Sequence, residues 1–201
     1  MLTNQTTPAA AEPWWNAHRG HYPDTLIAYF EAEARATATR QFQPSLISAA
    51  LQEPEYAEAV VRHFSYRYPS ELIDRTIAVR ATRRAAFLRS GMREAAFVLD
   101  ASVLRRPVGS DETMAKQHAW LRELDSSRRA SIQIMDGVYD GLGSHFSIFV
   151  VAGTVVAFVD RGDELEQVED TGTLNKLVER FERFRQQATP LRDCSLIKAE
   201  K

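Results

Sequence analysis

Apolar residues in the first half of the chain recur every three or four positions, which is the period of an α-helix. Three such segments begin near Pro23, Pro54 and Ser70, and the third ends at Ser90-Gly91. Proline and serine are common at the start of a helix, and glycine is common just after its end. Residues 41–45, which include a proline, interrupt the first stripe, and we expect a break between helices there. The N-terminal half is therefore predicted to be helical.

The period changes in the second half, where apolar residues form short runs or alternate with polar ones. Four runs predict strands. They lie at Ala95–Leu99, Ser131–Met135, His145–Val151 and Val155–Val159. The last two are separated by Ala152-Gly153-Thr154, which is typical of a tight β-hairpin. A further helix is predicted after Ser110, and a final helix carries Phe181 and Phe184.

The order of these elements predicts the fold class. Helices come first, strands follow and a helix comes last, which favours an α+β domain. We expect the helical N-terminal half to pack on a small antiparallel sheet, and the C-terminal helix to close it. Residues 1–13 are rich in threonine, proline and alanine and are expected to be a disordered lead-in, so that residues 14–201 form a single domain.

Composition excludes several classes of protein. The chain has 201 residues, and its formal net charge of −2 is unlike that of a domain that binds nucleic acid through a basic face. Its one cysteine, Cys194, can form neither an intrachain disulfide nor a thiolate metal cluster, which fits a reducing cytoplasm. The most apolar stretch, residues 146–159, is too short to span a membrane. We therefore expect a cytoplasmic protein that binds neither DNA nor membranes directly.

Polar residues gather at the ends of the predicted strands and in a glycine-rich loop, residues 137–144. Loops on a rigid scaffold commonly carry functional side chains. If the protein is an enzyme, Asp136 and His145 are candidates for an acid–base pair, with Tyr139 as a hydrogen-bond donor. The same residue types also form turns and helix caps. The candidates for ligand binding are Asp100, Asp140, Phe97, Ile134, Phe146 and Ile148.

We expect one pocket between the sheet and the first two helices. The four apolar candidates would form its floor. Its rim would consist of Asp100, Asp136, Tyr139 and His145. No metal site and no cofactor are expected, because His18 and His21 lack an obvious third ligand and no glycine motif for phosphate binding is present.

Charged residues on two predicted helices leave alternatives open. Glu33 lies near the apolar face of the first helix, where a buried carboxylate would need a partner or a raised pKa. We favour the alternative, in which this position is solvated. The third helix carries five arginines, and we interpret it as solvated or as facing a partner. These are Arg75, Arg80, Arg83, Arg84 and Arg89.

Three segments in fixed order carry a family resemblance. They are Phe30-Glu31-Ala32-Glu33-Ala34, Leu51-Gln52-Glu53-Pro54-Glu55-Tyr56-Ala57 and Val98-Leu99-Asp100-Ala101-Ser102-Val103-Leu104-Arg105-Arg106-Pro107-Val108-Gly109. From about Trp14 to Ala188, the chain resembles the C-terminal effector-like domain of actinobacterial Xre-type regulators, which are antitoxin-like transcription factors. The function of that domain is unknown. The resemblance implies a module that senses a ligand or contacts a small partner protein.

The chain also departs from the family pattern. The helix-turn-helix that precedes the effector domain in those regulators is not expected here, because Met1 to Glu12 is too short to hold it. Residues 48–53 replace Pro-Gly-Leu-Leu-Gln-Thr, Ala101 replaces a glutamate and Asp136 replaces a proline. We expect Ser48, Ala49, Ala101 and Asp136 to border one cavity that accepts a changed ligand.

Two functions from different classes remain. The first is a stand-alone effector domain that binds a small-molecule ligand or a small partner protein and has no DNA-binding module of its own. The second is a cofactor-free enzyme, such as a cyclase, isomerase or lyase of actinobacterial specialised metabolism, that was recruited from this sensor fold. Reactions of this kind need a shaped apolar pocket and few polar groups, and they leave no sequence motif. Whether the chain forms a homodimer is left open.

Overall fold

One mixed β-sheet organises the protein, in a computed structural model that describes residues 12–140, 144–162 and 164–197. Within these residues the sheet has seven strands. They are β1 (Ala38–Gln43), β2 (Glu94–Asp100), β3 (Ser131–Met135), β4 (His145–Val151), β5 (Thr154–Asp160), β6 (Leu165–Val168) and β7 (Thr189–Pro190). Their order is β6-β5-β4-β1-β2-β3-β7, in which β1, β2 and β3 are parallel and the other neighbours are antiparallel.

Six α-helices in the described part of the chain surround the sheet. They are α1 (Asp24–Arg35), α2 (Pro54–Phe64), α3 (Ser70–Arg89), α4 (Ala101–Arg105), α5 (Asp111–Ser126) and α6 (Thr171–Gln187). Short 3-10 helices lie at Trp14–His18, Ala49–Leu51 and Leu191–Asp193. The predicted α+β class is confirmed, with about half of the chain helical. Among the residues described, no helix combines the length and apolar character that crossing a membrane requires.

Helix starts follow the local signals in the sequence. Pro54 occupies the first turn of α2, and the Glu53 carboxylate accepts a hydrogen bond from the Glu55 backbone N–H at 2.8 Å. Ser110 caps α5 by accepting from the Thr113 N–H at 3.1 Å. Such caps satisfy backbone donors that lack a partner inside the helix.

Strand β1 corrects the predicted break at residues 41–45. It occupies the centre of the sheet, and its Phe42 is fully buried against α6. Its opposite face carries Thr39, Gln41 and Gln43, which are polar yet buried. This polar face hid the alternation that signals a strand. Because β1 and β2 are joined through α2 and α3, they run parallel, and the sheet is mixed and larger than the small antiparallel sheet we expected.

Helices cover both faces of the sheet. On one face α2, α3 and α5 pack against β2 and β3, and α1 packs further along the same face against β4 and β5. The predicted C-terminal helix, α6, covers the opposite face. The sheet is therefore the middle of three layers rather than a sheet closed on one side.

The predicted hairpin is formed by β4 and β5. The strands pair from His145 with Asp160 to Val151 with Thr154. Ala152 and Gly153 between them have φ values of 50° and 82°. Positive φ at both central residues is the geometry of a type I′ turn, which suits the twist of the flanking strands.

Deleting the Phe181 side chain tests the docking of α6. Phe181 is fully buried among residues of the α6 face of the sheet. Phe181→Ala is expected to lower the free energy of unfolding by about 3–5 kcal/mol, because it leaves a cavity. Phe64→Ala is the matched control, since Phe64 is 63% exposed, and it should cost less than about 0.5 kcal/mol. Equal midpoints for the two variants in urea unfolding would contradict this packing.

Candidate functional site

A cavity of about 710 Å³ lies between one face of the sheet and helices α1 and α3. Its remaining wall comes from the segment after β1, residues 45–52. Sites for small molecules usually measure about 300–1,000 Å³. We predicted a pocket between the sheet and the first two helices, and α1 does border the cavity, but α3 stands where α2 was expected.

Two rows of side chains form the floor of the cavity. Residues paired across neighbouring strands point to the same face of a sheet. In the inner row Ser147 on β4 is paired with Phe158 on β5, and both side chains line the cavity. In the outer row His145 is paired with Asp160. The floor is therefore largely polar, which is unusual for the covered face of a sheet.

The helices supply an apolar roof. Leu26 and Phe30 on α1, together with Val79 on α3, line the cavity from above. Ile47 adds an apolar side chain from the wall and is almost completely buried. Apolar walls around a few fixed polar groups are typical of sites that bind small molecules.

A buried ion pair holds α1 and α3 together at the roof. The Arg83 guanidinium donates to Glu33 through Nε at 2.6 Å and through Nη2 at 2.9 Å. It also lies 5.2 Å from the ring centres of both Tyr29 and Phe30. Burial alone would lower the pKa of Arg83, but the charge and hydrogen bonds of Glu33 outweigh it and raise the pKa. Of the two interpretations of Glu33, the buried and paired one is confirmed.

A second arginine, Arg80, lines the cavity, and it forms no ion pair with a carboxylate among the residues that the structure describes. Arg80 Nη1 donates to Gln52 Oε1 at 2.6 Å. Gln52 Nε2 in turn donates to the Ile47 carbonyl at 2.7 Å, so the amide is held with its oxygen toward the guanidinium. Burial and the nearby charge of Arg83 lower the pKa of Arg80 to about 10, and the group stays protonated at neutral pH. The solvated interpretation of α3 is wrong for Arg80 and Arg83.

The polar face of β1 forms a hydrogen-bonded chain that reaches the cavity wall. The Ser48 hydroxyl donates to Gln41 Oε1 at 2.7 Å, and Gln43 Nε2 donates to the same oxygen at 3.5 Å. Gln41 Nε2 donates to the Thr39 hydroxyl at 3.2 Å. All four side chains are buried. Because buried amides must find partners, this chain fixes the orientation of Ser48 and Gln43.

Tyr29 links the roof to the floor. Its hydroxyl shares a hydrogen bond of 3.1 Å with Ser147 on β4. Burial and the neighbouring charge of Glu33 raise the pKa of Tyr29 to about 12, so the phenol is neutral and available as a donor or acceptor.

His145 and Asp160 form a pair at the outer row of the floor. His145 Nε2 lies 2.8 Å from an Asp160 carboxylate oxygen, and Asp160 also accepts from the Gly162 N–H at 2.6 Å. Burial lowers the pKa of His145, although Asp160 acts in the opposite direction. At neutral pH the pair is therefore a neutral imidazole oriented by a carboxylate.

Two of the predicted rim residues meet, but away from this cavity. The Tyr139 hydroxyl donates to Asp100 at 2.6 Å. Burial would raise the pKa of Asp100, but hydrogen bonds from Ser102 and Tyr139 lower it overall. Asp100 caps α4, and the Tyr139 ring packs on Phe42 on the α6 side of the sheet. Asp100 therefore serves as the N-cap of α4, and Tyr139 holds its carboxylate in place.

The predicted acid–base pair of Asp136 and His145 is not formed. Asp136 follows β3, and β1 and β2 lie between β3 and β4 in the sheet. The Asp136 side chain is 70% exposed and its carboxylate lies 3.6 Å from Arg105. Asp140 is also exposed and pairs with Arg183 at 3.0 Å. Part of the glycine-rich loop, residues 141–143, lies outside the described residues.

The four predicted floor residues point to opposite faces of the sheet. Phe97 is paired with Gln41 and shares its face, whereas Phe146 is paired with Phe42 and shares the other. Ile134 packs with Phe97 under α5, and Ile148 packs with Phe146 under α6. Shifting the assignment on β4 by one residue, to His145 and Ser147, gives the residues that do line the cavity.

Two of the four positions at which the chain departs from the resembled family border the cavity. Ser48 and Ala49 line it. Ala101 lies in the core beneath α5, and Asp136 is at the surface. These positions were expected to border one cavity, but two of them do so and two lie elsewhere.

A smaller hollow of about 330 Å³ lies beside the C-terminal end of α2. Val60 and Phe64 line it on one side and Arg106 and Val108 on the other. Leu46 lines both this hollow and the larger cavity.

The chain was compared with family models, curated proteins and solved structures. A family model described as a domain of unknown function, DUF5753, matches residues 26–195. No curated protein and no solved structure matches. The matched region spans the chain from α1 to the last 3-10 helix and includes both arginines that line the cavity.

Removing the charge of Glu33 tests the ion pair at the roof. Glu33→Gln leaves Arg83 buried without its counter-charge and is expected to cost about 3–5 kcal/mol of unfolding free energy. Glu31→Gln is the control on the same helix, because Glu31 forms an exposed pair with Arg35, and it should cost less than about 0.5 kcal/mol. Urea unfolding followed by circular dichroism measures both, and comparable losses would show that the pair does not hold the roof.

Proposed function

The chain belongs to the DUF5753 family, a domain of unknown function, and from the geometry of its cavity we propose that it is a ligand-binding effector domain. The ligand is a small, largely apolar molecule that enters the space between α1, α3 and the sheet. The protein acts by switching between a ligand-bound and a ligand-free cavity, and no cofactor takes part.

The observation that carries this proposal is the combination of a cavity of about 710 Å³ with buried polar groups fixed around it. Here Ser48, Gln52 and Ser147 are buried, hydrogen-bonded and directed to the lining of the cavity. Polar groups that converge on an apolar cavity are the arrangement by which proteins orient small ligands.

The resemblance to Xre-type regulators supports an effector role for this domain. In those proteins the domain follows a DNA-binding module, and we propose that the present chain receives a similar signal without touching DNA itself. Its formal net charge of −2 supports this view, because binding to a duplex depends on a surplus of lysine and arginine at the interface. A small partner protein would then relay the occupied state.

The His145–Asp160 pair favours a second candidate function, a cofactor-free enzyme. Both residues line the cavity, and a neutral imidazole held by a carboxylate is suited to accept a proton from a bound substrate. Cyclases, isomerases and lyases rely on such transfers. Incubating the protein with a small-molecule extract of the cells that make it separates the two candidate functions. A ligand is recovered unchanged, whereas a substrate is consumed. His145→Gln would abolish consumption but would leave plain capture intact.

Blocking the cavity tests the proposed function. We expect the neutral dye N-phenylnaphthylamine to bind with a gain in fluorescence, because its aryl rings leave water for the apolar roof. Leu26→Trp fills the space below α1 and should weaken this binding about tenfold or more. Fluorescence titration at constant protein concentration gives both dissociation constants.

Ala78→Trp is the matched control, because Ala78 is exposed on α3 and is not part of the cavity. It adds the same side chain and should leave dye binding unchanged. Absence of dye binding, or equal affinities in the wild type and both variants, would remove the cavity as the ligand site.

The charge of the chain predicts its behaviour with DNA. No specific binding of duplex DNA is expected at physiological salt, because the formal net charge of the chain is −2 and duplex binding depends on a surplus of lysine and arginine that displaces counterions. A gel-shift series with the promoter fragment of its own gene and a scrambled duplex provides the measurement. A nanomolar, salt-sensitive shift of the promoter fragment alone would contradict the prediction.

A further inference from the structure

We infer that the ligand carries an anionic group, a carboxylate, sulfonate or phosphate, and that Arg80 binds this group. The inference rests on the proposed function, because it names the chemical class of the molecule that occupies the same cavity. The anion would lie against α3, with the apolar body of the ligand under α1.

The balance of charge around the cavity points to Arg80. Arg83, one turn along α3, is neutralised by Glu33 at 2.6 Å. Arg80 is close to Arg83 but forms no ion pair within 4.0 Å in the part of the chain that the structure describes. One positive charge of the cavity therefore has no counter-charge among the described residues, whereas charges inside proteins normally have a partner.

The carboxylates that line the cavity do not supply that partner. Asp160 is engaged by His145 and by the Gly162 N–H. Glu164 lies on the exposed side of the cavity. Neither carboxylate is within ion-pair distance of Arg80 in the described residues. Within the described residues Arg80 therefore has no counter-charge, and an anionic group of the ligand would supply one.

The Arg80 guanidinium is held in place before any ligand arrives. A guanidinium has five N–H donors, and within the described residues Arg80 uses one of them, on Gln52. The Ile47 carbonyl fixes the Gln52 amide from behind. The remaining donors belong to a planar guanidinium that lines the cavity, and a planar fork of donors suits a carboxylate, sulfonate or phosphate.

A matched pair of dyes tests the inference. Anilinonaphthalenesulfonate has the same aryl skeleton as N-phenylnaphthylamine and differs from it by one sulfonate. We expect the wild type to bind the sulfonate dye about tenfold or more tightly than the neutral dye, as a charge-assisted hydrogen bond in a desolvated site implies. The Leu26→Trp variant should weaken both dyes, which places them in the same cavity.

Three variants assign the preference to Arg80. Arg80→Gln should remove the preference for the sulfonate dye and leave the affinity for the neutral dye within about twofold, whereas Arg80→Lys should keep most of it. Gln52→Glu is nearly isosteric and supplies an internal counter-charge for Arg80, so it should abolish the preference even if Arg80→Gln fails to fold. Arg89→Gln, an exposed site on the same helix, is the control for charge loss and should change nothing.

The outcomes separate this inference from the proposed function. Equal binding of the two dyes, or a sulfonate preference that survives both Arg80→Gln and Gln52→Glu, would overturn the role of Arg80 and leave ligand capture standing. Failure of both dyes to bind, or insensitivity of both to Leu26→Trp, would overturn the proposed function itself. A preference lost in Arg80→Gln and Gln52→Glu but kept in Arg80→Lys and Arg89→Gln supports the inference.

Discussion

The two faces of β1 differ in chemistry, and the two layers of helices differ accordingly. Phe42 points to α6 and belongs to a dry aromatic core with Phe146 and Phe184. Gln41 points to the other face and must find hydrogen-bond partners there, because a buried amide without them is costly. That requirement brings Ser48 to the strand, and the polar groups of β1 lie between the apolar cluster under α5 and the one under α1. The cavity is found where the polar face of the central strand meets the helices.

The Arg83–Glu33 pair has a corresponding role in the roof. It joins α1 to α3 above the polar floor, and Tyr29 connects the same roof to Ser147 below. Buried ion pairs often add little net stability relative to apolar residues, since both charges lose their hydration. What they provide is a defined distance and orientation between the elements that they join. In this protein the Arg83–Glu33 pair and the Tyr29–Ser147 hydrogen bond keep α1 and α3 at a distance from the sheet. Apolar side chains would otherwise fill the space between them.

The sequence predicted most helices and the β4–β5 hairpin, because capping residues and turn residues act locally. It did not predict β1, since Thr39, Gln41 and Gln43 place polar residues where a buried strand usually has apolar ones. Phe146 was assigned to the cavity face of β4 instead of Ser147, because an apolar residue was expected to be buried. Both faces of the sheet are buried, and hydrophobicity alone does not say which of them a residue occupies. Glu33 on an apolar stripe was the available sign of a buried cation on another helix. Pairing it with Arg83 required the tertiary structure.

Leu46 is the partition between the larger cavity and the hollow beside α2. Ser45 next to it borders the larger cavity, and its carbonyl accepts a hydrogen bond from Arg106, which lines the hollow. A ligand in either space would lie against the same side chain, Leu46. If filling one of them moves Leu46, the affinity of the other changes, and reciprocity requires the same factor in both directions. One apolar side chain thus gives this small domain the minimal element for communication between an interior site and its surface.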